Sequence, residues 1–185
     1  MELRRAKKED YIYLKHVYDH AFPPEERAPF RRVWRCAEQG KADFLSIHIH
    51  GKCCGMAYLV RRGDLVYFFY LALDSRVRGR GIGTKVLKAV KRKCEGKRLF
   101  FALEQLDPKA KNYEIRVRRH ALYRRCGFVD LPYVLHEAGV VYAVMGNGGM
   151  IRPKEYSDLM DYHMGKFMRK LLHMRLVRLP ENAEL

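Results

Sequence analysis

The segment that most constrains this chain is Leu73-Asp74-Ser75-Arg76-Val77-Arg78-Gly79-Arg80-Gly81-Ile82-Gly83-Thr84-Lys85, which joins an apolar strand directly to a helix through three glycines at alternate positions. Glycines that open a helix cost conformational entropy and add no packing. Three of them imply a backbone that something must approach closely. A helix N-terminus presents unpaired N–H donors and a partial positive charge, which suits an anion. Arg76, Arg78, Arg80 and Lys85 add charge that suits a pyrophosphate. Two familiar nucleotide patterns fail here. A Walker loop needs Gly-Lys-Ser/Thr, whereas the chain has Gly83-Thr84-Lys85 with Arg78 five positions before Gly83. A dinucleotide fingerprint read from Gly79 and Gly81 would put its third glycine at Thr84.

The rest of the chain frames that turn. A short strand around Leu3 to Ala6 precedes a helix from Glu9 to Phe22, stopped by Pro23-Pro24, and a second helix from Glu25 to Gln39 that ends at Gly40. Phe44 to His50, Cys53 to Val60 and Leu65 to Leu73 read as strands of an antiparallel meander with short turns. The helix from Gly81 to Cys94 and the buried strand from Arg98 to Glu104 then imply a parallel crossover. Asn112 to Cys126 is a basic helix closed by Gly127, followed by a strand pair, Phe128 to His136 and Val140 to Met145. Gly146-Asn147-Gly148-Gly149 reads as a flexible joint. Beyond it Tyr156, Met160, Met164, Phe167 and Leu171 form an apolar stripe on a helix beginning near Pro153.

With 185 residues the chain suits one domain with an extension, placed here at residues 1–146 and 147–185. The excess of 37 Lys and Arg over 21 Asp and Glu, a net +16, favours polyanions and argues mildly against polyamine acceptors. From Arg76 to Arg98 there are ten basic residues and one acid, which keeps a nucleic-acid-facing surface in view beside a merely solvated face. The first ten residues lack the apolar core of a signal peptide, and no run of about 18 apolar residues occurs, so a cytoplasmic protein without membrane contact is expected. Five cysteines without a Cys-x-x-Cys pair argue against a disulfide framework or a zinc site, and no metal is expected. The pairs His16/His20 and His48/His50 lack the context of a zinc hydrolase.

The signature Arg78-Gly79-Arg80-Gly81-Ile82-Gly83, preceded by Leu71-Ala72-Leu73-Asp74, resembles the acetyl-coenzyme A loop of the GNAT acetyltransferases. Leu122-Tyr123-Arg124-Arg125-Cys126-Gly127-Phe128, 40 residues on, is similar to that family's Leu/Phe-Tyr-x-x-x-Gly-Phe segment. The resemblance spans Leu3 to Met145 in topology and is tight over residues 71 to 85 and 119 to 128. It implies an α/β (α+β) fold, a GNAT-like mixed, mostly antiparallel sheet flanked by helices, here with an additional C-terminal helix. It further implies that Leu71, Ala72 and Leu73 hydrogen-bond the pantetheine arm. Arg78, Gly79, Arg80, Gly81, Ile82, Gly83 and Thr84 would hold the pyrophosphate, and Arg119 is counted with the cofactor-binding residues. Tyr123 would sit near the thioester sulfur. One departure is Arg116, where the family often has Asn.

The expected reaction is acetyl-CoA-dependent N-acetylation of a primary amine by direct attack, with acetyl-CoA as donor. A protonated amine cannot attack, and the departing thiolate needs a proton. Tyr123 is the general-acid candidate and Glu104 the base candidate, acting directly or through a water; a backbone N–H, most simply that of Leu73, would hold the oxyanion. Blander readings stay open: Tyr123 as a half-buried core phenol, Glu104 as the partner of a nearby arginine. Glu25 and Glu26 would border the acceptor pocket or cap the second helix. The favoured acceptor is a small amine or amino-acid-like molecule. The alternative is a basic nucleic-acid-binding or regulatory protein on the same fold without transferase activity. The C-terminal stripe could close the core or dock on a second copy in a homodimer.

Overall fold

Near-continuous apolar runs set the central strands, and the short turns between them fix which residues face each other. In this computed structural model, which describes residues 1–24, 27–77 and 79–180, the meander is present as β2 (Ala42–Ile49), β3 (Lys52–Arg62) and β4 (Leu65–Leu73). His50 and Gly51 take φ of 48° and 76° in a two-residue turn. His50 therefore leaves β2, although the sequence ran that strand from Phe44 to His50. β1 (Glu2–Arg5) lies antiparallel to β2, Leu3 opposite Ile47.

The chain divides into two compact units, residues 1–61 with 67–95, and residues 62–66 with 96–185. In the first unit the strand order is β1-β2-β3-β4. α1 (Tyr11–Ala21) buries Leu14, Val17 and Tyr18, α2 (Phe30–Glu38) buries Phe30, Val33 and Cys36, and α3 (Ile82–Lys93) buries Ile82, Val86, Leu87 and Val90. An aromatic cluster ties these layers together: Tyr18 meets Phe30 at 5.3 Å and Tyr70 at 5.1 Å, and Phe44 meets Tyr58 at 5.5 Å. Buried phenols need partners. Tyr18 donates to the Ala28 carbonyl (2.9 Å), Tyr58 donates to the Val33 carbonyl (3.1 Å), and Tyr70 accepts from the Ala28 amide (3.2 Å). The second helix starts later than its apolar spacing implied. Pro29 is its N-cap, and the residue before a proline is steered away from helical backbone.

The second unit has the order β5-β7-β6-β8, antiparallel at every step, with β5 (Arg98–Glu104), β6 (Val129–Glu137), β7 (Val140–Asn147) and β8 (Arg175–Arg178). α4 (Tyr113–Arg125) follows β5. Gly146 and Asn147, read as part of a joint, are instead the last residues of β7, opposite Phe100 and Leu99. A Cβ on Gly146 would come within 2.7 Å of Leu131 and 3.0 Å of the Leu99 carbonyl, so the strand pairing itself requires glycine there. The C-terminal stripe is likewise broken: α5 (Pro153–Met164) ends at Gly165, whose φ of 89° and ψ of 145° are not helical, before α6 (Lys166–Leu171). Tyr156 and Met160 are fully buried, whereas Phe167 is 77% and Leu171 57% exposed. β8 had no signal in the sequence, because Arg-Leu-Val-Arg is short and buries only Leu176, which faces Leu135 of β6.

Arg98 anchors the C-terminal segment within this unit. Its guanidinium donates to both oxygens of Asp64, to both oxygens of Glu155 and to the Met150 carbonyl. Glu155 in turn accepts from the Arg152 amide at the head of α5. The architecture is thus mixed α/β, its eight strands mostly antiparallel and flanked by helices. No helix among the described residues is long and apolar enough to cross a membrane.

Candidate active site

The glycine-rich turn begins where β4 ends. A Cβ on Gly55 of β3 would lie 2.5 Å from the Ala72 carbonyl and 2.8 Å from Leu73, so a glycine is what lets β3 run against this end of β4. Asp74 then organises the turn. Its carboxylate accepts from the Arg76 amide (2.9 Å), from the Arg76 guanidinium (3.0 and 2.6 Å) and from the Tyr13 hydroxyl of α1 (2.8 Å). Its own amide donates to the Cys54 carbonyl at 2.9 Å. The Arg76 partnership holds the Asp74 carboxyl well below the usual carboxylate range. Burial, followed by the bond to Asp74, pushes the Tyr13 phenol above its ordinary value. Arg76, grouped by sequence with the charges awaiting an anion, is thus committed to Asp74. Arg80 and Lys85 remain exposed.

Gly81 is the N-cap of α3 in the left-handed region, φ 70° and ψ 7°, and no side chain among the described residues caps the helix. The first intrahelical bond on that residue is the Lys85 amide to the Gly81 carbonyl, 3.3 Å. The amides of Ile82, Gly83 and Thr84 precede it, as helix geometry requires. A non-glycine residue in this conformation costs about 1–2 kcal/mol. The arrangement is an uncapped helix head behind a loop free of side chains at alternate positions, which can hold a phosphate by its backbone. Arg78, and the acceptor-side candidates Glu25 and Glu26, lie outside the described residues.

In the second unit Glu104 ends β5 and is surrounded by donors from the start of α4. It accepts from the Asn112 side-chain Nδ2 (2.8 Å), from Arg116 (3.2 Å) and from Arg119 (2.9 Å). Arg116 is also bonded to the Asn112 side chain and to the Gln105 carbonyl, both at 2.8 Å. The residue that departs from the family's Asn therefore ties the β5–α4 connection together. His120, 4% exposed, bonds the Glu104 carbonyl through Nε2 at 3.0 Å and staples α4 to β5. Tyr123 lies one helical turn beyond Arg119, its ring 4.5 Å from Phe101. Its side chain keeps some exposed area while its phenol end is enclosed. Burial raises the phenol above its ordinary value, opposed by the nearby Arg119. A phenol so placed carries its proton at neutral pH and can donate it. Glu104, with both oxygens occupied, must release a partner or work through a water to take one.

The structure thus gathers Leu71, Ala72, Leu73, Gly79, Arg80, Gly81, Ile82, Gly83 and Thr84 around one turn, and Glu104, Arg119 and Tyr123 around another. Tyr13, Asp74, Gly55 and His120 escaped the sequence reading. An Asp closing a strand before a glycine turn was the one available sign of Asp74. The others depend on long-range packing.

Residues 36–130 match the family model described as an acetyltransferase (GNAT) domain. The chain belongs to the GNAT acetyltransferase family. As a GNAT protein it is an acyltransferase, with the family's fold. A GNAT-family acetyltransferase structure from Bacteroides thetaiotaomicron is 17% identical with a TM-score of 0.72, covering 93% of this chain and 98% of that one. An aminoglycoside 6'-N-acetyltransferase complexed with coenzyme A is 15% identical, TM-score 0.63, covering 83% and 99%. The ribosomal-protein-S18-alanine N-acetyltransferase of Escherichia coli is 17% identical, TM-score 0.61, covering 82% and 98%. At these identities the likeness concerns the fold. No curated protein matches this GNAT sequence.

Proposed function

We propose that this GNAT protein transfers the acetyl group of acetyl-CoA to a primary amine by direct attack. The observation that carries the reading is the uncapped head of α3 behind Gly79 and Gly81, held in shape by Asp74. In this reading the backbone of Gly79 through Thr84, with Arg78 and Arg80, takes the pyrophosphate, and Leu71 to Leu73 take the pantetheine arm. The amine nitrogen bonds to the thioester carbonyl carbon, the C–S bond then breaks, and the thiolate takes the Tyr123 phenol proton. Glu104 receives the surplus amine proton through a water, and Arg119 fixes the Glu104 carboxylate. Because the chain carries a net +16, a small amine or an amino-acid-like molecule with its own carboxylate is the favoured acceptor, with Glu25 and Glu26 bordering its pocket. Neighbours of the same fold named for an aminoglycoside and for a ribosomal-protein alanine keep both small and protein amines in the screen.

The test is a thermal melt with acetyl-CoA, desulfo-CoA and ADP, followed by thiol release with a panel of amines. A ligand at about 100 times its Kd adds about 2.7 kcal/mol, a shift of several degrees for a chain of this size. A flat melt with acetyl-CoA would refute the donor assignment. A second reading, polyanion binding on the same fold, draws on α3, where Lys85, Lys88, Arg92 and Lys93 are exposed and no acid occurs. It requires an RNA affinity that falls steeply with log salt.

A further inference from the structure

We propose that Asp10, His48 and Cys53 form a binding site for a divalent transition-metal cation of the zinc class. The three come from separate elements of the first unit: Asp10 immediately precedes α1, His48 lies near the end of β2, and Cys53 lies near the start of β3. One ligand atom from each lies within 4.8 Å of the other two. The sequence-based expectation of no metal weighed cysteine spacing and histidine pairs close together in the chain, and could not bring these three together.

A β-bulge makes the juxtaposition. Ile47 faces Gly55 across β2 and β3, yet His48 faces Cys53, so Cys54 is the extra residue. Directly opposed residues place their side chains on one face with Cβ atoms about 5 Å apart. Without the bulge His48 would face Cys54 and the thiol of Cys53 would turn to the opposite face. Asp10 reaches the pair from outside the sheet, where its carboxylate also accepts from the Lys7 amide (2.9 Å) and so keeps a fixed orientation.

The donor set has the chemistry of zinc: a thiolate, an imidazole and a carboxylate, three protein ligands with a fourth position left for water. A divalent ion facing one thiolate and one carboxylate is also charge-neutral. His48 carries the second contacts such ligands use, Nε2 with Ser46 Oγ at 3.0 Å and Nδ1 with the Gly51 carbonyl at 3.4 Å. Whichever nitrogen turns to the ion, the other keeps an orienting partner. His48 is 9% exposed, while Asp10 and Cys53 are half-buried, so the site is enclosed on one side and reachable from the other. Burial, with the Asp10 anion adding to it, keeps the Cys53 thiol protonated at neutral pH. Binding therefore breaks the S–H bond, forms the sulfur–metal bond and releases that proton to solvent.

The test uses the full chain stripped with a chelator, titrated with Zn²⁺ by calorimetry and with Co²⁺ by absorption. One equivalent is expected, with tetrahedral d–d bands and a thiolate-to-cobalt charge-transfer band that Cys53→Ser removes. His48→Asn and Asp10→Asn should each weaken Zn²⁺ binding at least tenfold, and Ser46→Ala about tenfold. His16 and His20, whose rings lie 4.0 Å apart on α1, are the competing surface pair. His16→Ala should leave binding unchanged. The proposal is overturned if the charge-transfer band survives Cys53→Ser, if no equivalent binds, or if His16→Ala abolishes binding. Melts of each variant in chelator establish folding; should Cys53→Ser fail to fold, Asp10→Asn, at the accessible edge, decides by the same titration.

Discussion

Glu137 offers the most quantitative test of how this structure is held together. It ends β6 two residues after the fully buried Leu135, on the strand face that also carries the buried Leu131 and Tyr133. Its charge is felt by the buried Tyr156 of α5. Burial, with no cation among the described residues set against it, lifts the carboxyl from an ordinary 4.5 to about 7. The sign follows from proton linkage. Between those two values the native state holds a proton that the unfolded chain has lost, so this group's contribution to stability falls as pH rises through that window and is constant above it. A displacement of that size corresponds to about 3 kcal/mol at full burial, and because the side chain keeps part of its exposure we expect about 2 kcal/mol between pH 5 and 8. The carboxyls of Asp74 and Glu155 are displaced the other way, by their arginines. They contribute stability that is complete above the ordinary carboxylate range and lost in acid, so they are silent in the same window. Urea unfolding of the native chain and of Glu137→Gln at pH 5 and pH 8 isolates the group, since histidine titrations cancel in the comparison. The native chain should lose about 2 kcal/mol more than the variant over that interval. Equal losses would refute the assignment of an enclosed, unpaired carboxyl.

Three further predictions concern the site and its support. Tyr123→Phe should lower turnover by about 10²-fold while leaving the Kd for acetyl-CoA within about twofold by calorimetry; unchanged turnover removes the phenol from the mechanism. Asp74→Ala frees the Arg76 amide and the Tyr13 hydroxyl and should weaken acetyl-CoA at least about tenfold, since hydrogen bonds to a charged group contribute about 1.5–3 kcal/mol. An unaltered Kd would show that the turn shapes itself without Asp74. Arg98→Met leaves Glu155 and Asp64 without their shared guanidinium and should cost about 2 kcal/mol in urea unfolding, with an unshifted midpoint counting against the anchor.

What was legible in the chain divides along the range of the interactions. β5 runs from Arg98 to Glu104 as its apolar centre and charged ends imply, and Gly81 and Gly127 bound their helices as read, because turns and helix ends are written in neighbouring residues. Local signals failed where a distant partner decides. Gly146-Asn147-Gly148-Gly149 looks like a loose joint in sequence, yet Gly146 and Asn147 complete β7. Phe167 and Leu171 continue a helical stripe, yet Gly165 breaks it and leaves both exposed. The same division runs through the candidate site. Gly79, Gly81 and Tyr123 announced themselves by spacing. Asp74 matters because Tyr13, 61 residues earlier, donates to it, and Glu104 is occupied because Arg116 and Arg119 arrive from the helix that follows. In this protein the residues that would contact acetyl-CoA lie in local motifs, while those that hold the contacts in shape are distant in sequence. Asp74→Ala and Tyr123→Phe therefore probe different levels of organisation: the first should change donor affinity through the fold of a loop, the second should change turnover with that loop intact.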